Sequence, residues 1–293
     1  MGTRTGNYPI GFRRIRSDWQ TKDLKTLAAW AKLSGFDRID LAKVTKEEIA
    51  ILDGAGLALG SADLIDFGQI MANDPGKRKE TIAANVTYVK EAAIAGAKIF
   101  FTCVIPDDPT RKRSENYALA LECFGPIAQA ADEVGARIVI EGWPGRGVMA
   151  NLCCTPETYR SFMKDIGCKS VGINYDPSHL IRLGVDHIRF LHEFAPKVYH
   201  VHGKDTELIS EAVYEYGLYQ SSVFGTPHGY GDLVWRYTIP GSGCTRWPEA
   251  LRILHSSGYN GTVSVELEDE NFNGTEAGER AGLLHSLAFL KSV

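Results

Sequence analysis

The sequence predicts a closed (β/α)8 TIM barrel, a single domain over residues 1–293 with a long insertion after the seventh strand. Three observations carry this. Short strand-like runs alternate with helical runs eight times within 293 residues, the length such barrels occupy. No glycine-rich dinucleotide turn follows the first strand, which argues against an open doubly wound sheet. No low-complexity linker divides the chain, so one domain accounts for it.

The elements follow in order. An opening strand near 8–12 precedes a helix at about 23–33 (DLKTLAAWAKL), ended by Gly35. A second strand, 38–42, leads to a helix announced by Thr45 with Glu48 three residues later; each side chain can satisfy the other's free backbone amide. The third strand covers 57–62. A helix over about 77–95 has apolar residues at 3.6-residue spacing and stops at Gly96. The apolar run 98–105 is the fourth strand, closed by Pro106, and a helix over 116–134 follows. After Gly135 comes the fifth strand, 137–141. Thr155 caps a helix over 156–166 whose first position is Pro156.

The sixth strand, 171–176, alternates with period two. Gly172, Asn174 and Asp176 share one face, while Val171, Ile173 and Tyr175 share the other. Pro177 ends it. A helix at about 185–194 and the seventh strand, 197–202, come next, with His200 and His202 on one face and Tyr199 and Val201 on the other. The connection 203–246 is unusually long, rich in Tyr, Gly and His, and is read as a lid or subunit contact. A helix over 247–256, the eighth strand 262–267 and a last helix over 275–290 complete the chain.

Hydrophobic residues make up 44% and charged residues 23%, which suits an ordinary globular core. A net charge of −4 offers no attraction for nucleic acid or an anionic membrane. The first residues lack the apolar core of a secretory signal, and no run reaches the ~20 apolar residues of a membrane span. Gly6 stands where a myristoylation signal beginning at Gly2 needs Ser or Thr. Six cysteines form no CxxC pair, and Cys153 and Cys154 are adjacent. Reduced thiols and a cytoplasmic location are the expectation. The aromatic-rich loops are compatible with a homo-oligomer.

Chemistry in such barrels sits at the C-terminal ends of the strands. The last inward residues of strands five to eight are Glu141, Asp176, His202 and Glu266. Thr262, Ser264 and Glu266 alternate with Val263, Val265 and Leu267, so Glu266 faces inward. Four ligand-type side chains at one level can converge on one ion. Three carboxylates and an imidazole are a mostly hard-oxygen set, which favours Mn2+ or Mg2+, with Co2+ or Zn2+ as alternatives.

The segments VIEGWPG, NYDPSHL, HVHGKD and GTVSVELEDE resemble those of the xylose isomerase-like superfamily of sugar isomerases and epimerases, which includes ketose 3-epimerases and inosose dehydratases. The likeness runs from about Arg38 to the C-terminus and is strongest from Arg137 onward. It implies that Glu141, Asp176, His202 and Glu266 bind one divalent ion and that Glu141 and Glu266 move the proton. It also implies that His179, in a D-x-x-H pattern with Asp176, contacts a substrate oxygen.

Such a site suits removal of a proton from carbon beside a carbonyl, because a divalent ion disperses the charge of the resulting enolate. A carboxylate on each side of the sugar can take a proton from one face and return one to the other. Expelling a β-substituent instead makes the same site a lyase or dehydratase, including one acting on a 3-oxo-glycoside. Trp143 is a candidate wall against the sugar ring, and Lys204, Asp205 and Arg236 are candidate substrate or orienting groups. His200 reads as a hydrogen-bonded interior residue, Glu268 and Asp269 as supporting or surface acids, and Arg111, Lys112 and Arg113 as a solvated basic turn. A repair endonuclease on this barrel would need histidines on the early strands, but the first histidine is His179.

Overall fold

A strand at a sheet edge leaves backbone N–H and C=O groups unpaired, and the chain removes both edges by closing the sheet on itself. The computed structural model describes residues 8–147 and 149–293; the reading of Gly2 and Gly6 lies outside them. The barrel strands are β1 (Ile10–Arg13), β2 (Arg38–Leu41), β3 (Ala58–Asp63), β4 (Ile99–Thr102), β5 (Arg137–Glu141), β6 (Val171–Tyr175), β7 (Val198–Gly203) and β10 (Val263–Val265). All pair in parallel, and β10 pairs with both β7 and β1 to shut the ring.

Around them run α1 (Asp18–Thr21), α2 (Leu24–Ser34), α3 (Lys46–Gly54), α4 (Pro75–Ala95), α5 (Arg113–Glu133), α6 (Pro156–Asp165), α7 (Pro177–Arg182), α8 (His187–Phe194), α10 (Trp247–Ser256) and α11 (Glu276–Ser292). The helix signals in the sequence are realised locally. Asp23 accepts from the amides of Lys25 and Thr26, and Gly35 adopts the left-handed φ of 91° that ends α2. Thr45 and Glu48 satisfy each other's amides at the start of α3.

The insertion has its own structure. Strands β8 (Asp205–Leu208) and β9 (Trp235–Thr238) form an antiparallel ribbon, with α9 (Ser210–Tyr216) in the connection between them. The main apolar core lies between the strand ring and the helices. A smaller cluster of Phe101, Cys103 and Val139 fills the barrel interior, where the Phe101 ring stacks on His202 with centroids 5.3 Å apart.

Four local readings are corrected. The first strand begins at Ile10; the Tyr8 hydroxyl instead donates to the Leu251 carbonyl. The fourth ladder stops at Thr102, and Val104 bridges Leu152 in the loop beyond β5. Pro177 ends a strand but also opens a helix, because a proline at the first helical position loses no hydrogen bond. The alternation in β7 breaks at Tyr199: Ile173 pairs with Val198 and Asn174 with His200, so Tyr199 is an extra residue in a bulge. Its ring lies where a side chain at position 172 would project, so only glycine fits there.

Candidate active site

The C-terminal ends of the last four barrel strands converge. Glu141 closes β5, Asp176 follows β6, His202 lies in β7 and Glu266 follows β10. One ligand atom from each lies within 4.8 Å of the others. The Nδ1 atom of His202 is 2.6 Å from Glu141 Oε1, 3.4 Å from Glu266 Oε2 and 4.0 Å from Asp176 Oδ2. Asp176 is fixed by its role at the head of α7, where Oδ1 accepts from the Ser178 amide and hydroxyl. Its Oδ2 is buried, faces the cluster and lies 3.2 Å from the Lys204 ammonium. Three carboxylates and an imidazole this close, mostly hard oxygen donors, are a set that fits a divalent cation.

Supporting groups fix the orientation of each ligand. The Asn174 amide donates to Glu141 Oε1 at 2.8 Å, which leaves its Oδ1 to accept from His200 Nδ1, also at 2.8 Å. His200 is therefore a hydrogen-bonded interior residue beneath the cluster, and its Nε2 faces Asp40 at 3.4 Å. Arg13, at the end of β1, grips Asp63 through two bonds of 2.8 and 2.7 Å and reaches Glu266 Oε1 at 3.3 Å. Lys204 is 1% exposed, with its ammonium 2.5 Å from Glu266, 2.9 Å from Glu268 and 3.2 Å from Asp176.

These charges set the protonation states. Burial and the neighbouring Glu266 push the Glu141 carboxyl up, but His202 and His179 outweigh them and hold it below the usual carboxylate range. Burial likewise opposes ionisation of Glu266, yet Lys204, His202 and Arg13 hold it well below that range. Burial alone would lower His202; Glu266 and Glu141 overcome it and raise its pKa to about 10. Lys204 stays protonated because Asp176, Glu266 and Glu268 outweigh its burial.

His179 sits over the cluster, with Nε2 3.4 Å from both Glu141 and Asp176. Its Nδ1 is 2.7 Å from the Tyr237 hydroxyl, which also accepts from Arg182 at 3.0 Å. With Arg182 donating to that oxygen, the phenol proton is free for Nδ1, and the imidazole N–H then points into the site from Nε2. A cleft of about 230 Å3 opens beside this group, with Trp143, Arg146, Arg182, Tyr230 and Trp235 among its lining residues. Arg182 stacks on Trp235, 4.3 Å from the ring centroid.

The sequence-derived candidates thus divide. Glu141, Asp176, His202, Glu266, His179 and Lys204 come together, and Trp143 lines the adjoining cleft. Arg236 does not join them: its guanidinium meets Glu207 at 2.7 Å, Asp269 at 3.5 Å and Glu270 at 3.7 Å, and it does not line the cleft. Asp205 turns away and accepts from Gly241, Thr245 and Trp247, tying the end of the insertion to β7. Glu268 holds Lys204, whereas Asp269 receives the Thr238 hydroxyl and the Ile239 amide. Within the basic turn, Arg113 donates to the carbonyls of Ala150 and Asn151 and Arg111 to the Asn73 side chain. Arg13, Asp40, Asp63, Arg182 and Tyr237 were not singled out from sequence. The alternation of Gly11 with Arg13 could have shown Arg13; nothing local marks Tyr237.

A closed parallel barrel with acids and an imidazole gathered at the C-terminal ends of its last four strands defines a class of TIM-barrel protein. The chain belongs to the xylose isomerase-like TIM barrel family, whose sequence pattern matches residues 21–293. It is 27% identical over 157 residues to an inosose dehydratase of Geobacillus thermodenitrificans, covering 53% of this chain and 48% of that one. This chain therefore spans about half the length of that curated relative. Among solved structures it is similar to 3-keto-D-glucoside 4-epimerase of E. coli (TM-score 0.70, 16% identity, 98% of this chain and 100% of that one). It is also similar to a D-psicose 3-epimerase crystallised in the presence of D-fructose (TM-score 0.69, 17% identity, 96% and 97%). At these identities the two structures share the fold. No helix among the described residues is long and apolar enough to cross a membrane.

Proposed function

We propose that this protein is a divalent-metal-dependent sugar isomerase or epimerase that transfers a proton at the carbon beside a carbonyl, through an enediolate or enolate. The observation that carries the reading is the convergence of Glu141, Asp176, His202 and Glu266 within one ion's reach. A bound Mn2+ or Mg2+ would supply Lewis-acid polarisation of the carbonyl oxygen. Glu141 and Glu266 approach the site from different strands, and both are held ionised at neutral pH, so either can take the proton. To return one to the opposite face, the other carboxylate must first take up a proton from solvent or from a substrate hydroxyl. His179 presents an N–H to a substrate oxygen, and Lys204 and Arg13 hold Glu266 in place. Trp143 and the ribbon of β8 and β9 shield the reacting carbon from water.

A second reading is supported by the cleft. Its aromatic wall of Trp143, Tyr230 and Trp235 leaves room beside the cluster for a substituent larger than a hydroxyl. A keto-sugar carrying such a group at the β-carbon could lose it by elimination after the same proton abstraction. This would make the protein a lyase or dehydratase, with a 3-oxo-glycoside as one substrate type. The inosose dehydratase relative supports this alternative.

The test is incubation of Mn2+-loaded protein with a panel of ketoses and 3-keto-glycosides in D2O, followed by NMR. Deuterium at the α-carbon with retention of all substituents is the expected result for an epimerase. Release of water or aglycone would select the elimination reading. No exchange with any member, in protein shown to hold one metal ion, would overturn the proton-transfer assignment.

A further inference from the structure

The opposite mouth of the barrel holds a second cavity, of about 410 Å3, where the strands begin. Arg38 opens β2, Arg137 opens β5, Lys98 immediately precedes β4, and all three line it. Among the described residues no aspartate or glutamate does. Among the described residues none of these three cations takes part in an ion pair. The Arg137 Nη1 donates to the Lys169 carbonyl at 2.9 Å, and its guanidinium lies 4.8 Å from the Tyr199 ring centroid. Arg38 has one long contact, 3.5 Å, to the Leu59 carbonyl.

Two neutralising arrangements fall short. The barrel helices run against the strands, so their C-terminal carbonyl dipoles face this end and attract cations. The carbonyls actually met, Lys169 in the loop after α6 and Leu59 in β3, take one N–H of Arg137 and weakly one of Arg38. Most donors of both guanidinium groups and the Lys98 ammonium are left without a protein acceptor among the described residues. The nearby acid, Asp40, lies one layer further in. Its Oδ1 accepts from the Ser61 amide and lies 3.4 Å from Nε2 of His200, which lines the cavity, whereas Asp40 itself does not.

Three cations around one concave space, without a carboxylate among its described lining, give it a positive wall. Two guanidinium forks and an ammonium match an acceptor that offers several oxygens and carries up to two negative charges. The volume falls within the range of small-ligand pockets, about 300–1,000 Å3. We propose that the N-terminal mouth of the barrel binds a phosphate-type oxyanion, either free or as the phosphate group of a small metabolite. The site is separate from the acid cluster and independent of the reaction proposed there.

Isothermal titration of the intact protein with inorganic phosphate, glucose 6-phosphate and glucose, at low salt, tests this. Saturable binding of phosphate with a Kd of about 1 mM or tighter is expected, with none for glucose. Glucose 6-phosphate binding tighter than phosphate would identify a metabolite as the source; equal affinity would identify the free anion. Lys98→Gln, a change at an exposed side chain outside the strand, should weaken binding about threefold, and the Lys98→Gln/Arg137→Gln pair at least about tenfold. Thermal midpoints confirm folding, and Lys98→Gln alone suffices if the pair is unstable. Absence of saturation by about 10 mM phosphate, or unchanged affinity in the variants, would overturn the proposal.

Discussion

Replacing Lys204 by methionine removes a charge and keeps the side-chain volume, so the loss reads the electrostatics of the cluster. In the protein without metal, the ammonium is the shared partner of Asp176 and Glu266, at 3.2 and 2.5 Å, with its own side chain 1% exposed. Its third partner, Glu268, is 34% exposed, so water screens that contact and it contributes little. Breaking a buried pair by removing one partner costs about 3–5 kcal/mol. Arg13, 3.3 Å from Glu266, remains as partial compensation, so the lower end of about 3 kcal/mol is expected. For a chain of this size that corresponds to a fall in Tm of roughly 6 °C in EDTA.

The pH dependence follows from the signs. The Lys204 pKa is raised, so its contribution is fully present throughout the neutral range. Glu266 is lowered, so its contribution is present above its unfolded value of about 4.3 and is lost as pH falls through the folded value. The gap between wild type and variant should be flat between about pH 6 and 9 and close below about pH 4. Excess Mn2+ should stabilise the variant more than wild type, because the cation then answers carboxylates left without the ammonium. Differential scanning in EDTA and in Mn2+ measures both. A fall of less than about 2 °C, or a gap that Mn2+ leaves unchanged, would refute the reasoning.

Other expectations follow from the same geometry. Glu141→Gln and Glu266→Gln should each lower turnover by at least about a hundredfold while circular dichroism stays native; wild-type rates in either would remove it from proton transfer. His202 is held protonated, with a pKa of about 10, so binding of an ion through Nδ1 must displace that proton. Calorimetry in buffers of different ionisation enthalpy should find about one proton released per Mn2+ at pH 7, with affinity rising with pH. Zero release would take His202 out of the ligand set. Gly172→Ala should cost about 1–3 kcal/mol in denaturant unfolding, because a Cβ there would overlap the Tyr199 ring; an unchanged midpoint would mean that the bulge yields freely.

The barrel was legible because its signals are local. The Thr45 and Glu48 pairing, the Gly35 and Gly96 stops and the period-two runs each depend on residues within one turn or strand. Glu141, Asp176, His202 and Glu266 were legible for a related reason. Once strands are parallel and in chain order, the last inward residue of each lies at the same mouth. Tyr199 shows where the inference stops, since a bulge shifts register by one residue and depends on the neighbouring strand having glycine at 172.

The chain's local pattern determined eight strands, their order and the four polar residues at their ends. Tertiary structure alone decided what surrounds them. Tyr237 reaches His179 across 58 positions and Arg13 reaches Asp63 across 50. Lys204 meets Glu266 only because β7 and β10 are neighbours in the closed ring. Arg236 and Arg182 look alike in sequence, yet Glu207, directly opposite Arg236 in the ribbon, takes up its guanidinium, while Arg182 is left beside the cleft. Charge partners are set by distance in space, and for these groups that distance is created by ring closure and by how the insertion folds back.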